Sequence, residues 1–181
     1  MLEGVWYHLI ETTYGAWLYG DERSFRTRHH REHIDGDYNT PPPLEKYAQL
    51  RGKSRESLEQ PPVVIAAEWR PIVGNAVIDR LSAQGVYVLI VSISGQHMHL
   101  LGNVPKDAEP RRLMGLAKKH SSFESKSAGR EGKLWAKRGK ELKIRDRRHQ
   151  LNVFRYIFRH GDEGAWIWIN PDVAKRAHNA D

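Results

Sequence analysis

The chain contains no cysteine among its 181 residues. A disulfide framework, a thiolate zinc site and a thiol nucleophile are therefore excluded, and a reducing cytoplasm is the expected compartment. Long apolar segments are also absent, since the most hydrophobic run covers only residues 86–94. We therefore expect no membrane-spanning helix, and the first residues lack the basic and then apolar order of a secretion signal.

Acidic residues are outnumbered, with 22 Asp and Glu against 29 Lys and Arg and a net charge of +7. The excess is concentrated in residues 111–160, where 16 basic residues face 4 acidic ones, a net charge of +12. Concentrated positive charge attracts polyanions because each neutralised phosphate releases condensed counterions. Nucleic acid is the expected partner, and a basic face that serves only solubility is the alternative. No membrane partner is expected, since no segment pairs basic residues with a continuous apolar face.

Hydrophobic periodicity predicts an α+β protein, with a ferredoxin-like antiparallel sheet, helices packed on one face and an additional C-terminal helix. The length suits one domain over residues 1–181 with a polar insertion at about 21–60, interpreted as an extended loop or a flexible insertion. The predicted strands are 5–13, 86–94, 97–101 and 165–169, and the predicted helices are 63–81, 108–126 and 146–161. Pro71 is expected to kink or split the first helix, and Gly161 to end the last one in a left-handed conformation.

His97 and His99 flank Met98 just after the most hydrophobic run. Because side chains alternate along a strand, both imidazoles point to one side of the sheet and Met98 to the other. Two imidazoles so placed form a clamp for a divalent metal ion. The alternative is a pair of histidines that are solvated or hydrogen-bonded for structural reasons.

Tyr156 and His160 lie four residues apart in a strongly helical segment. Positions at this spacing share one helix face, one turn apart. The segment thus offers a candidate nucleophile and a third metal ligand to one site. The alternatives are an aromatic residue at a helix–sheet contact and a cation near a helix C-terminus, where the dipole favours positive charge.

Taken in order, several segments resemble the single-tyrosine HUH transposases, which include the REP-associated tyrosine transposases and the enzymes of the smallest bacterial insertion sequences. The resembling segments are 6–9 with 12–18, the pair of histidines at 97–99, the helix that carries Lys118, residues 133–135, and the helix at 156–160. Relatives usually have Pro-Asn where this chain has Gly95-Gln96, and many have Gln or Asn where it has His160.

This resemblance implies a ferredoxin-like fold and a metal-dependent endonuclease and strand transferase that acts on single-stranded or hairpin DNA. Mg²⁺ or Mn²⁺ would be held by His97, His99 and His160, and Tyr156 would form a 5′-phosphotyrosine. A phenol has a pKa of about 10, so the metal or cations such as Arg155 and Arg159 must activate it. The resemblance also implies a homodimer, in which the tyrosine helix of one copy can serve the histidine pair of the other.

The basic region is expected to bind the DNA backbone. The candidate residues are Arg111, Lys118, Lys119, Lys133, Lys137, Arg155 and Arg159. Two other functions are left open by the residues themselves. One is a nucleic-acid-binding protein that has the fold without cleavage, and the other is a metal-dependent phosphodiesterase that uses water in place of Tyr156.

Overall fold

The computed structural model describes residues 3–21, 43 and 45–173. Much of the predicted insertion, residues 22–42 and 44, lies outside the described residues. Its last part contains a helix, Ala48–Glu56, so there the prediction of an extended loop is wrong. In chain order the elements are β1 (Val5–Thr12), α1 (Ala48–Glu56), a short 3₁₀ helix (Ala67–Trp69), α2 (Arg70–Ser82), β2 (Tyr87–Ile93), β3 (His97–Val104), α3 (Pro110–Ser127), β4 (Lys140–Lys143), α4 (Arg147–Arg159) and β5 (Trp166–Ile169).

The strands form one antiparallel sheet in the order β4-β1-β3-β2-β5. A crossover through α2 joins β1 to β2, a hairpin joins β2 to β3, and a crossover through α3 joins β3 to β4. The order 4-1-3-2 with these connections is the ferredoxin-like arrangement. The predicted fold class is confirmed, and β5 extends the sheet beyond β2.

Apolar side chains cover both faces of the sheet. On one face Leu9, Val91 and Leu100 pack with residues of α2 and α3, among them Val77 and Met114. On the other face a smaller cluster joins the sheet to α4 and consists of Ile90, Leu101, Ile144, Val153 and Ile157. The prediction of helices on one face therefore holds for α2 and α3, whereas α4 lies on the opposite face.

The segment before α2 differs from the prediction. Residues 61–66 are extended, not helical: the Val63 N–H donates to the Tyr14 carbonyl at 2.8 Å, and the Ile65 N–H to the Gly95 carbonyl at 2.7 Å. The apolar spacing that imitated a helix face instead places Ile65 in the core. Pro71 lies in the first turn of α2, where its missing N–H breaks no helical bond, so it does not kink the helix.

The end of α4 is also different in detail. Gly161 does not adopt the predicted left-handed conformation, which occurs at Gly164 (φ 80°) after a further turn. Among the described residues, no helix combines the length and apolar composition needed to cross a membrane.

Candidate active site

The two histidines of β3 lie on the α4 side of the sheet, as strand alternation predicts. Met98 between them is fully buried on the other side. A tight turn at Gly95 and Gln96, closed by the Ser94 N–H donating to the His97 carbonyl at 2.9 Å, joins β2 to β3. The ring centroids of His97 and His99 are 6.4 Å apart. His97 thus lies at the sheet end, and His99 lies deeper, with 9% of its surface exposed.

Helix α4 brings Tyr156 and His160 to the same place. Its apolar residues Val153 and Ile157 pack against the sheet. This contact sets the orientation of the neighbouring helix face, which carries Tyr156 and His160. The ring of His99 is stacked on that of His160, with centroids 4.8 Å apart and planes 15° apart. The Tyr156 ring lies 5.3 Å from that of His99 and 4.8 Å from that of His160. His99, Tyr156 and His160 therefore meet within one copy of the chain, while the homodimer stays a prediction.

A further histidine belongs to this cluster and is not among the site residues predicted from the sequence. His8 of β1 is 6% exposed, and its Nε2 lies 3.0 Å from Nδ1 of His99. Its ring centroid is 6.0 Å from that of Tyr156. Side-chain alternation along β1 indicates that His8 lies on the opposite face of the sheet from Leu9, but it does not indicate which residue His8 contacts. Its partner depends on the β1–β3 register, in which Ile10 lies opposite His99.

Burial sets the protonation of the inner imidazoles. Burial, together with the charges of His149 and His160, lowers the pKa of His8 to about 4. Burial, then the charges of His8, His160 and His97, lower the pKa of His99 to about 3. Both rings are consequently neutral at pH 7. Neutral imidazole is the form that binds a metal ion.

The pKa of the Tyr156 phenol lies above its ordinary value. Partial burial raises its pKa, the charge of Glu163 raises it further, and Arg159 opposes these effects only in part. Of the expected activators, Arg159 lowers the pKa of Tyr156, and activation by a metal ion stays a prediction. Positive charge placed beside the phenol would lower this pKa and favour the phenolate.

The donor set fits a divalent ion in its chemistry. Nδ1 of His160 lies 3.3 Å from a carboxylate oxygen of Glu163, and its Nε2 is buried without a hydrogen-bond partner. Imidazole nitrogens suit Mn²⁺ better than Mg²⁺, which prefers oxygen. Within the described part of the chain, however, no three His, Asp or Glu side chains are arranged to hold an ion. The predicted site at His97, His99 and His160 thus stays a prediction.

Three of the predicted DNA-binding residues are paired with carboxylates. Arg111 donates two hydrogen bonds to Glu141, at 3.2 and 3.1 Å, and Lys133 pairs with Glu59. Nζ of Lys118 lies 2.8 Å from a carboxylate oxygen of Glu11 and 2.7 Å from the Ala136 carbonyl oxygen, largely out of solvent. The other four candidates have exposed side chains: Lys119, Lys137, Arg155 and Arg159.

The basic residues lie on two sides of the molecule. Lys119, Lys126, Lys133 and Lys137 line an open groove of about 420 Å³ between α3 and residues 132–137. Since α3 covers the face of the sheet opposite α4, the positive charge is not confined to the neighbourhood of Tyr156. The exposed Arg155 and Arg159 of α4 are the predicted contacts nearest in sequence to the tyrosine.

Fold and site together define an α+β protein of ferredoxin-like topology, with a cluster of imidazoles and one phenol between the sheet and a C-terminal helix. No protein-family model matches the chain, and no curated protein matches it. A solved structure of the REP-associated tyrosine transposase bound to a REP hairpin is similar at 13% sequence identity and a TM-score of 0.48, over 91% of this chain and 70% of that chain. A likeness of this degree leaves the function to be inferred from this chain's own residues.

Proposed function

We propose that the protein is a metal-dependent endonuclease and strand transferase for single-stranded or hairpin DNA, with Tyr156 as nucleophile. The observation that carries the proposal is the meeting of Tyr156 and His160 at the end of α4 with His99 of β3, which lies 57 residues before Tyr156 in the sequence. A tyrosine beside neutral imidazoles is a nucleophile next to metal-binding groups. The positive charge of the chain suits a nucleic-acid substrate.

The chemistry is a transfer of a phosphodiester linkage. The Tyr156 oxygen attacks phosphorus and loses its proton to solvent, the bond from phosphorus to the 3′ oxygen of the preceding nucleotide breaks, and that oxygen takes up a proton and leaves as a 3′-hydroxyl. A divalent ion held by His97, His99 and His160 would offset the phosphate charge and favour the phenolate. Attack of another 3′-hydroxyl on the 5′-phosphotyrosine releases Tyr156 and joins a new strand.

Cleavage of an end-labelled single strand that carries a hairpin tests the proposal. We expect cleavage with Mn²⁺, none with excess EDTA, and a loss of at least tenfold in His97→Ala and His99→Ala, since each removes one ligand. His120→Ala is the matched control, because His120 lies away from the cluster on α3. Cleavage that survives EDTA, or that proceeds equally in all variants, would contradict metal dependence.

A second candidate is a DNA-binding protein of this fold without cleavage. Two observations favour this candidate. The pKa of Tyr156 is raised. The rings of His99 and His160 stack, and among the described residues no three ligand side chains surround one point. Binding that weakens by orders of magnitude between low and moderate salt, with no cleaved or protein-linked DNA, would support this candidate. The charge-reversal variants for this binding measurement are made at Lys119 and Lys137, whose side chains are exposed, because Lys118 forms an ion pair with Glu11.

A further inference from the structure

His8 has no role in the function proposed so far, yet it makes the closest polar contact in the cluster. Its Nε2 is 3.0 Å from Nδ1 of His99, and both residues are at least nine-tenths buried. The β1–β3 register fixes this contact, because Ile10 pairs with His99 and His8 with Leu101. His8 is thus the diagonal neighbour of His99 on the same face of two adjacent strands.

Only one of the two nitrogens can carry the shared proton, and the choice decides what His99 can bind. If His8 donates, His99 accepts at Nδ1 and carries its own proton on Nε2, which then has no lone pair for a cation. If His99 donates from Nδ1, its Nε2 keeps the lone pair. The second arrangement is the one compatible with a metal ligand at His99.

We propose that His8 is a positioning residue, whose Nε2 accepts the Nδ1–H of His99 and so holds His99 in the tautomer with a free Nε2 lone pair. This inference rests on the proposed function, since the ligand is a divalent cation. Groups that hydrogen-bond the second nitrogen of a metal-binding histidine fix both its tautomer and its ring orientation. His8 has this relation to His99.

His160 has a similar hydrogen-bonding contact at its own Nδ1 atom. Glu163 lies 3.3 Å from Nδ1 of His160, and a carboxylate accepts a proton donor at that position. Nε2 of His160 is then the nitrogen left without a hydrogen-bond partner, and it is buried. The two stacked rings thus have their Nδ1 atoms engaged by neighbours, one from β1 and one from the turn after α4.

Two separate measurements test the proposal, one of the tautomer of His99 and one of the affinity for a divalent cation. Nitrogen-15 NMR of labelled histidine reports which ring nitrogen of His99 carries the proton in metal-free wild type at pH 7, with His99→Ala identifying the resonance. Calorimetric Mn²⁺ titration then compares wild type with His8→Phe, which keeps a ring but removes both nitrogens. His8→Gln is the rescue variant, because its amide oxygen can accept from Nδ1 of His99.

We expect wild-type His99 to be protonated on Nδ1. His8→Phe should lose this preference and about 10 to 100-fold in Mn²⁺ affinity, and His8→Gln should recover most of both. A proton on Nε2 of wild-type His99 would overturn the inference. An unchanged tautomer and affinity in His8→Phe would do the same while the proposed function survives, whereas absence of Mn²⁺ binding by wild type would end both.

Discussion

The ion pair of Glu11 and Lys118 is the main internal charge contact among the described residues outside the histidine cluster. The side chains are 4% and 13% exposed. Burial raises the pKa of Glu11, and the hydrogen bond from Lys118 offsets that only in part. Since Lys118 also donates to the Ala136 carbonyl, it ties α3 to both β1 and the segment before β4. Its position indicates a structural contribution that the sequence did not reveal.

Replacing Lys118 with methionine should therefore destabilise the protein. The change leaves the Glu11 carboxylate buried without its partner, and we expect a loss of about 3 kcal/mol in the free energy of unfolding, measured with urea at pH 7. Adding Glu11→Gln should recover part of the loss, because the uncompensated charge disappears. Lys119→Met, at an exposed neighbour, should change stability by less than about 0.5 kcal/mol. Equal stability of Lys118→Met and wild type would contradict the structural assignment.

The buried imidazoles predict how stability depends on pH. The folded-state pKa values of about 4 for His8 and about 3 for His99 lie below the ordinary value of 6.5. The unfolded chain therefore binds more protons between these values, and stability falls as the pH drops from 6.5 toward 4. Each histidine contributes a slope of at most about 1.4 kcal/mol per pH unit.

Urea unfolding of the metal-free protein at pH 7, 6 and 5 measures this slope. His8→Phe should flatten it, because one titrating group is removed from the buried cluster. His120→Gln, which changes a partly exposed histidine on α3, should leave it unchanged. The same slope in wild type and His8→Phe would show that His8 is not held neutral by the fold.

Among the elements, α4 is positioned by its N-terminal cap and by its apolar face. The Asp146 carboxylate accepts from the His149 N–H at 2.7 Å and caps the helix. Asp146→Ala should cost about 1 kcal/mol in the free energy of unfolding by thermal or urea melts. Asp107→Ala, an exposed aspartate in the turn before α3, is the control and should change little. A cost no larger than that of the control would show that the cap contributes nothing.

Local pattern predicted the elements that position the site. Alternation around Met98 placed His97 and His99 on one face, and the four-residue spacing placed Tyr156 and His160 together. Local pattern does not predict contacts between elements that are distant in sequence. The contact of His8 depends on the register of β1 with β3, and Glu11 meets Lys118 only because α3 packs on the sheet. The prediction of a helix that begins at residue 63 is wrong over residues 63–66, because an extended segment can bury Ile65 with the same apolar spacing.

At the scale of the whole molecule, the sheet separates two surfaces. One carries the imidazole and tyrosine cluster under α4, and the other carries α2, α3 and their apolar core. The lysine-lined groove beside α3 is thus separate from the cluster, and Lys119 and Lys137 are its exposed members. A DNA that contacts both would have to extend around the edge of the sheet.

A covalent adduct with DNA tests most directly whether the Tyr156 oxygen is the nucleophile. Wild-type protein is incubated with Mn²⁺ and a hairpin-bearing single strand, and the product is separated on a denaturing gel and digested for mass spectrometry. Tyr156→Phe preserves the ring packing and removes only the oxygen, and Tyr19→Phe is the control at an exposed tyrosine. We expect a protein-linked band with the nucleotide on Tyr156, retained in Tyr19→Phe and lost in Tyr156→Phe. An adduct on another residue, or cleavage by Tyr156→Phe at the wild-type rate, would contradict it.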